Sequence, residues 1–309
     1  MAKLSILVPT YFQETYLEAC VLSALSARLA PGDQIEVLIL DDGSTDGTPE
    51  VGADLVSRFP DQVRYRWQEN TGHVARNVNV LAAEATGDLL LLFAGDDLFP
   101  DGWDAATRMK RFARDSDLAV TFTEGESFAS ENPDQRRQVQ DPRLVALLED
   151  TSSEVILREH LKRHPFHFFL QATILRRDFF DAIGGYDETL AADDTAFPLR
   201  VFQGLVRKGL HHGVDRGTFF LYRQHGESLQ HQNLRSLLLK LEFYGREIAP
   251  EYHRNFAKRL LRNLERLPWT ILWSRQTRDA LNAALQPPLA RELLLRASIR
   301  KLRLRQGDT

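Results

Sequence analysis

Short apolar runs that end in polar clusters, separated by segments of helical period, constrain this chain more than any other feature. Residues 4–8 form an apolar, partly β-branched run closed by Pro9, and residues 35–40 form a second one closed by Asp41-Asp42-Gly43. Both predict buried strands. Between them Tyr16, Leu17, Cys20, Val21, Ala24 and Leu25 recur at helical spacing until Pro31-Gly32 stops the run. The alternation continues with a helix over 49–59, a strand over 63–67, a helix over 74–85 and a buried strand over 89–93. Repeated β-α units imply an α/β fold, a mostly parallel sheet flanked by helices. In such sheets ligands collect at the carboxyl ends of the strands, which here carry Pro9-Thr10-Tyr11, Asp41-Asp42-Gly43-Ser44 and Gly95-Asp96-Asp97.

Further along, the pattern predicts a helix over 103–114, a strand over 118–123, and a long surface loop over 124–142 centred on Asn132-Pro133-Asp134. A helix over 153–163, strand-like material over 166–175, a helix over 193–202 despite Pro198, and a last strand over 218–222 follow. Beyond Arg235 every apolar period is helical. The expected organisation is therefore an α/β unit over 1–234 and a helical appendage over 235–309.

Charge divides the chain at the same place. The whole carries −4, yet residues 235–309 hold sixteen Lys/Arg against seven Asp/Glu, which leaves an acidic body and a basic tail. Two readings of the tail stand: a helical cap or self-association surface with a solvated basic face, or a basic amphipathic surface for anionic lipid. The acidic body argues against nucleic acid as a partner. Lone Cys20, an apolar start too short for a signal peptide, and a longest apolar stretch far below the roughly 18 residues of a membrane span point to the cytoplasm. Peripheral contact with the inner face of a membrane is the expectation attached to the lipid reading of the tail.

Carboxylates placed side by side at strand ends repel one another unless something offsets the charge, and a divalent cation holding a phosphorylated ligand does so. Asp41-Asp42 and Asp96-Asp97 thus suggest a metal-nucleotide site. The competing reading makes both pairs turn formers and helix caps. A Walker phosphate loop, a Gly-x-Gly-x-x-Gly turn, a His-Glu-x-x-His pair and a Gly-x-Ser-x-Gly elbow are all missing, which sets aside ATPase, dehydrogenase, zinc protease and serine hydrolase chemistry.

In their order along the chain these motifs resemble the family 2 glycosyltransferases of GT-A fold, over roughly residues 3–226. The resemblance rests on Leu7-Val8-Pro9-Thr10-Tyr11, on Asp41-Asp42-Gly43-Ser44-Thr45-Asp46-Gly47-Thr48, on Asn70-Thr71-Gly72 followed by Ala75-Arg76-Asn77, and on Ala85-Thr86-Gly87-Asp88 leading to Asp96-Asp97. Ile183-Gly184-Gly185-Tyr186-Asp187-Glu188, Asp193-Asp194 with Leu199-Arg200, and Tyr222-Arg223-Gln224-His225 extend it. The fold implied is a nucleotide-diphospho-sugar transferase-like sheet flanked by helices.

What the resemblance implies for the site is specific. Pro9, Thr10, Tyr11, Glu14, Asp42, Arg76 and Asp96 would bind the nucleotide, and Asp97, Asp96 and His225 would hold Mn²⁺ or Mg²⁺. Asp194, preceded by Asp193 where the family has Glu, would be the catalytic base. Ala94 stands where the family's metal motif begins with Asp. A carboxylate accepting an imide hydrogen and an aromatic face for a planar base favour uracil or thymine, hence a UDP or dTDP sugar. The implied reaction is inverting transfer of that sugar to the hydroxyl of a glycan or lipid-linked acceptor in polysaccharide or glycan synthesis. A non-catalytic nucleotide-binding relative and a sugar-phosphate nucleotidyltransferase are the rivals. Residue by residue, the structural alternatives are an interior Tyr11, an Arg76 paired with Glu84, a helix-dipole role for Asp193-Asp194 and a solvated His225. His160, His164 and His167 mimic a metal face, but Pro165 interrupts the helix and they read as structural or surface residues.

Overall fold

The computed structural model describes residues 1–163, 170–190, 196–224, 241–242, 245–246, 248, 252–254, 260–261, 264–265, 267–285 and 287–306. The first half runs β1 (Lys3–Thr10), α1 (Leu17–Leu25), β2 (Gln34–Asp41), α2 (Thr48–Arg58), β3 (Val63–Trp67), α3 (Val74–Glu84), β4 (Leu89–Leu92) and α4 (Ala105–Arg114). Strands β3-β2-β1-β4 lie side by side and all parallel, so their carboxyl ends share one edge, as the alternation predicts.

Continuous apolar runs are what a strand buried on both faces requires. Leu7, Leu38, Leu40, Leu90 and Leu92 pack with Val78 and Leu81 of α3 on one face, while Ile6, Val8, Val37, Ile39 and Leu91 meet Leu17, Val21 and Met109 on the other. Within this core Glu36 accepts hydrogen bonds from Ser5 at 2.5 Å and from the Thr86 N–H at 2.7 Å, and pairs with Lys3 at 3.0 Å. Burial alone would raise its pKa, but these partners hold it at about 2.

The second half is less regular. β5 (Leu118–Ala129), β6 (Asn132–Gln138), α5 (Pro142–Asp150), α6 (Ser153–Arg163), β7 (Ile174–Arg176), α7 (Arg177–Ala182), α8 (Phe197–Lys208) and β8 (His211–Gln224) complete the sheet. β7 is antiparallel to β4 and β5, β6 is antiparallel to β5, and β8 runs parallel along β5. The expected loop over 124–142 is thus replaced by a β5–β6 hairpin and the start of α5. β6 is exposed at every residue, so no apolar alternation marks it, and Pro133 is tolerated on an edge strand. α8 starts at Phe197 rather than Asp193, with Pro198 in its first turn where a missing N–H costs nothing. Of the strand-like stretch 166–175, residues 166–169 lie outside the described residues, and among the described remainder strand begins at Ile174.

Among the described C-terminal residues the structure is helical: α9 (Trp269–Leu272), α10 (Arg275–Ala284) and α11 (Pro287–Gln306). Their apolar residues form a third cluster, with Leu272, Leu281, Leu293, Leu294 and Ala297 packed on Leu190, Ala196 and Leu199. The helical layer therefore abuts the start of α8.

Candidate active site

The turns after β1 and β2 are stitched together. Asp42 donates its N–H to the Thr10 carbonyl at 2.9 Å, and the Phe12 N–H donates to Ser44 Oγ at 2.8 Å. Phe12 takes a left-handed φ of 53°, a conformation that few residues other than glycine adopt and that the Ser44 bond anchors here. Tyr11 consequently stands out from the edge at 48% exposure, edge-on to Phe12 with ring centres 4.4 Å apart. The interior reading of Tyr11 is thereby excluded. Pro9 is partly buried and Thr10 fully so, with Thr10 lying under Gly95, where any Cβ would come within 2.9 Å of Thr10 Oγ1. Glu14 points elsewhere: its carboxylate accepts the Gly47 N–H at 2.9 Å at the head of α2. The structure thus gives Glu14 a capping contact, where the sequence had assigned it to the nucleotide.

Asp41 and Asp42 are both buried and both fully engaged. Asp41 accepts from the Ser44 N–H at 2.9 Å, Ser44 Oγ at 2.6 Å and the Tyr65 hydroxyl at 2.6 Å. The Asp42 carboxylate accepts from Gln68 Nε2 and the Thr71 N–H, each at 2.9 Å, and from Thr71 Oγ1 and the Gly72 N–H, each at 3.1 Å. Burial would raise the pKa of Asp42, yet the Gln68 and Thr71 donors bring it below the usual carboxylate value. With four protein donors already on it, Asp42 organises the loop over 68–72, and a base imide would have to share or displace one of them. Asn77 joins this network by accepting from Gln68 at 2.9 Å.

That loop leads into α3, whose exposed Arg76 lies in the first turn. Glu84 is taken by Arg66, so the expected alternative partner of Arg76 is engaged elsewhere. Arg76 remains exposed beside the loop over 68–72.

The β4 end differs in kind. Asp97 is fully buried; its Oδ1 accepts the Arg223 N–H at 2.9 Å, and its Oδ2 has no hydrogen-bond partner. Burial first, and the neighbouring Asp96 charge second, push its pKa well above the usual value. Arg223, which the sequence reading passed over in favour of His225 two residues on, also donates Nε to the Asp96 carbonyl at 2.8 Å. Its guanidinium lies 4.8 Å from the ring centres of both Tyr16 and Phe128. The signal for it was its place in the Tyr222-Arg223-Gln224-His225 motif at the end of β8.

An unpartnered carboxylate oxygen beside a second carboxylate fits a hard divalent cation, which takes oxygen ligands and would relieve both the desolvation and the repulsion. Asp97 and Asp96 are the residues that would hold it. Ala94 contributes a carbonyl that accepts the Cys20 thiol at 3.5 Å, and so plays a packing part where the family has Asp. Among the described residues no group of three His, Cys, Asp or Glu gathers there. Asp193, Asp194 and His225 lie outside the described residues, as do His164 and His167; His160 is buried.

Comparison with known proteins bears on the fold and the family. The chain is 25% identical over 232 residues to the minor teichoic acid biosynthesis protein GgaA of Bacillus subtilis, covering 72% of this chain and 47% of that protein. It is 28% identical over 231 residues to the uncharacterised glycosyltransferase EpsJ of the same organism, covering 73% of this chain and 62% of EpsJ. The chain thus spans less than two thirds of these curated relatives. Among solved structures, S. aureus TarS residues 1–349 with UDP superposes with a TM-score of 0.58 at 16% identity, covering 99% of this chain and 92% of TarS. The mannosyltransferase PcManGT of Pyrobaculum calidifontis, with GDP-Man and Mn²⁺, gives 0.56 at 16%, covering 97% and 86%. Both likenesses show the GT-A fold. The model of glycosyl transferase family 2 matches residues 5–184, from β1 through the Asp96-Asp97 turn to the end of α7, and the chain belongs to that family.

Proposed function

We propose that this chain transfers a sugar from a nucleoside diphosphate sugar to an acceptor hydroxyl, with inversion, during synthesis of a polysaccharide or other glycan. The single observation carrying the reading is the buried, unpartnered Asp97 Oδ2 beside Asp96, at the same sheet edge as the exposed Tyr11 ring. Thr10 and Tyr11 offer the base a floor and a stacking face, and Arg76 offers a guanidinium to phosphate or base oxygens. A Mn²⁺ or Mg²⁺ ion on Asp97 and Asp96, with His225 as a further ligand, would supply Lewis acidity toward the leaving diphosphate. Asp194, next to Asp193 just ahead of α8 in the sequence, would take the acceptor proton on the opposite side of the sugar. Residues 1–234 would form the catalytic unit and 235–309 its appendage, working at the cytoplasmic side of a membrane.

Support for the donor class comes from the fold neighbours, solved in complex with UDP, UDP-GlcNAc and GDP-Man. They differ in base, so the choice of UDP or dTDP rests on Tyr11 and Asp42 alone. Support for a surface-glycan product comes from the name of GgaA. The test is calorimetric titration with UDP, dTDP, GDP and ADP, each with Mn²⁺ and with chelator. Binding of one diphosphate only when metal is present supports the reading; binding of none of the four overturns it. With the donor identified, Asp194→Asn should abolish transfer and keep nucleotide affinity.

A further inference from the structure

On α11 the apolar residues fall on two faces. Leu289, Ala290, Leu293, Leu294 and Ala297 are buried in the C-terminal cluster. Leu295 and Ile299, one turn apart on the opposite face, are 57% and 48% exposed. Arg291 lies exposed one turn before Leu295, and Arg296 and Arg300 flank the pair on the other side. Both of these stay largely exposed while reaching Glu292 at 2.8 Å and Glu265 at 3.0 Å. Along the whole helix six Lys/Arg face a single acidic residue, Glu292.

An aliphatic stripe bounded by guanidinium groups on both sides matches a surface that is negative at the top and apolar just beneath, as an anionic bilayer is. Two aliphatic side chains fall far short of the roughly 800 Å² per partner of a stable protein interface. They suffice for shallow insertion helped by several cations. Among the described residues no helix is long and apolar enough to cross a membrane, so attachment through this face would be peripheral.

We propose that the outer face of α11, Leu295 and Ile299 framed by Arg291, Arg296 and Arg300, docks this chain on an anionic lipid surface. The α11 cluster packs on Ala196 and Leu199 at the start of α8, so docking brings the bilayer to the helical layer that covers the start of α8. A lipid-linked acceptor follows, and that consequence alone rests on the transferase reading.

The experiment is flotation of the full chain with vesicles of phosphatidylcholine alone and with one third phosphatidylglycerol, at low and high salt. Binding to the phosphatidylglycerol vesicles only, weakened by salt, is expected. Leu295→Ser/Ile299→Ser and Arg291→Glu/Arg296→Glu should each reduce it by roughly tenfold or more, with melting temperatures within a few degrees of the parent. Absence of binding to anionic vesicles overturns the proposal, as does binding that neither double variant weakens. A light-scattering mass of a dimer that either variant converts to monomer also overturns it, since a second copy would then cover the face. Calorimetry with UDP and Mn²⁺ on the same variants reads the active site separately, so failure of docking and failure of the transferase reading give different results.

Discussion

Two pairs of aspartates follow β2 and β4, the strands on either side of β1, and they do opposite work. Asp41-Asp42, after β2, is satisfied by donors from its own turn, from Tyr65 and from the loop over 68–72. Asp96-Asp97, after β4, keeps one buried oxygen with no protein partner and a carboxyl pushed up by burial and by its neighbour. Identical in sequence, the first pair is hydrogen-bonded within the protein and the second holds a buried carboxylate oxygen with no protein partner. A carboxylate that the protein satisfies serves its architecture, and one that it buries unsatisfied is a candidate site.

The contrast breaks most visibly at Asp97. Asp97→Asn should lower transfer by about a thousandfold, the loss of several kcal/mol of charge stabilisation, while metal-free stability in urea is unchanged or rises. Near-parental rates would remove Asp97 from the site. Asp41→Ala should behave in reverse, because it strands the Ser44 and Tyr65 donors: a loss of about 3 kcal/mol in urea unfolding is expected, and a stable Asp41→Ala protein would contradict its structural role. Next in size, Mn²⁺ at a hundredfold excess over its Kd should stabilise the parent by about 2.7 kcal/mol and leave Asp97→Asn unmoved, read as a shift in melting temperature.

The smallest effect is a difference in pH dependence, measured without metal. The folded pKa of Asp42 is lowered, so its contribution is present above the unfolded carboxylate pKa and is lost as pH falls through the folded value. That of Asp97 is raised, so its contribution is complete below the unfolded pKa and is lost as pH rises through the folded value. Asp42→Asn should therefore flatten the acid limb of the stability profile and Asp97→Asn the limb above it. Profiles that the two substitutions change alike would erase the distinction.

Much of the fold was legible because strands buried on both faces announce themselves as apolar runs, and β1, β2 and β4 do. β6 was not, since an edge strand exposed on both faces carries no apolar period, and its Asn132-Pro133-Asp134 reads as a turn. α7 was missed because six residues are too few for a period to show. The motifs around Tyr11 and Asp97 marked the sheet edge on which the structure places both. The contact of Glu14 with the Gly47 N–H was not legible because Gly47 lies on another loop. Arg223 went unseen because its role depends on Tyr16 and Phe128 meeting it from distant strands and turns.

By itself the sequence determined the β-α order, the shared edge of the parallel strands and the residues that stand on it, since each follows from local period and from the polar residues that end a run. Only the tertiary structure decided which aspartates are satisfied. The donors on Asp42 come from residues 26 to 30 positions away and the one on Asp97 from Arg223, 126 positions away. Hydrogen bonds between groups so far apart in the chain exist only once the sheet has brought them within 3 Å or so.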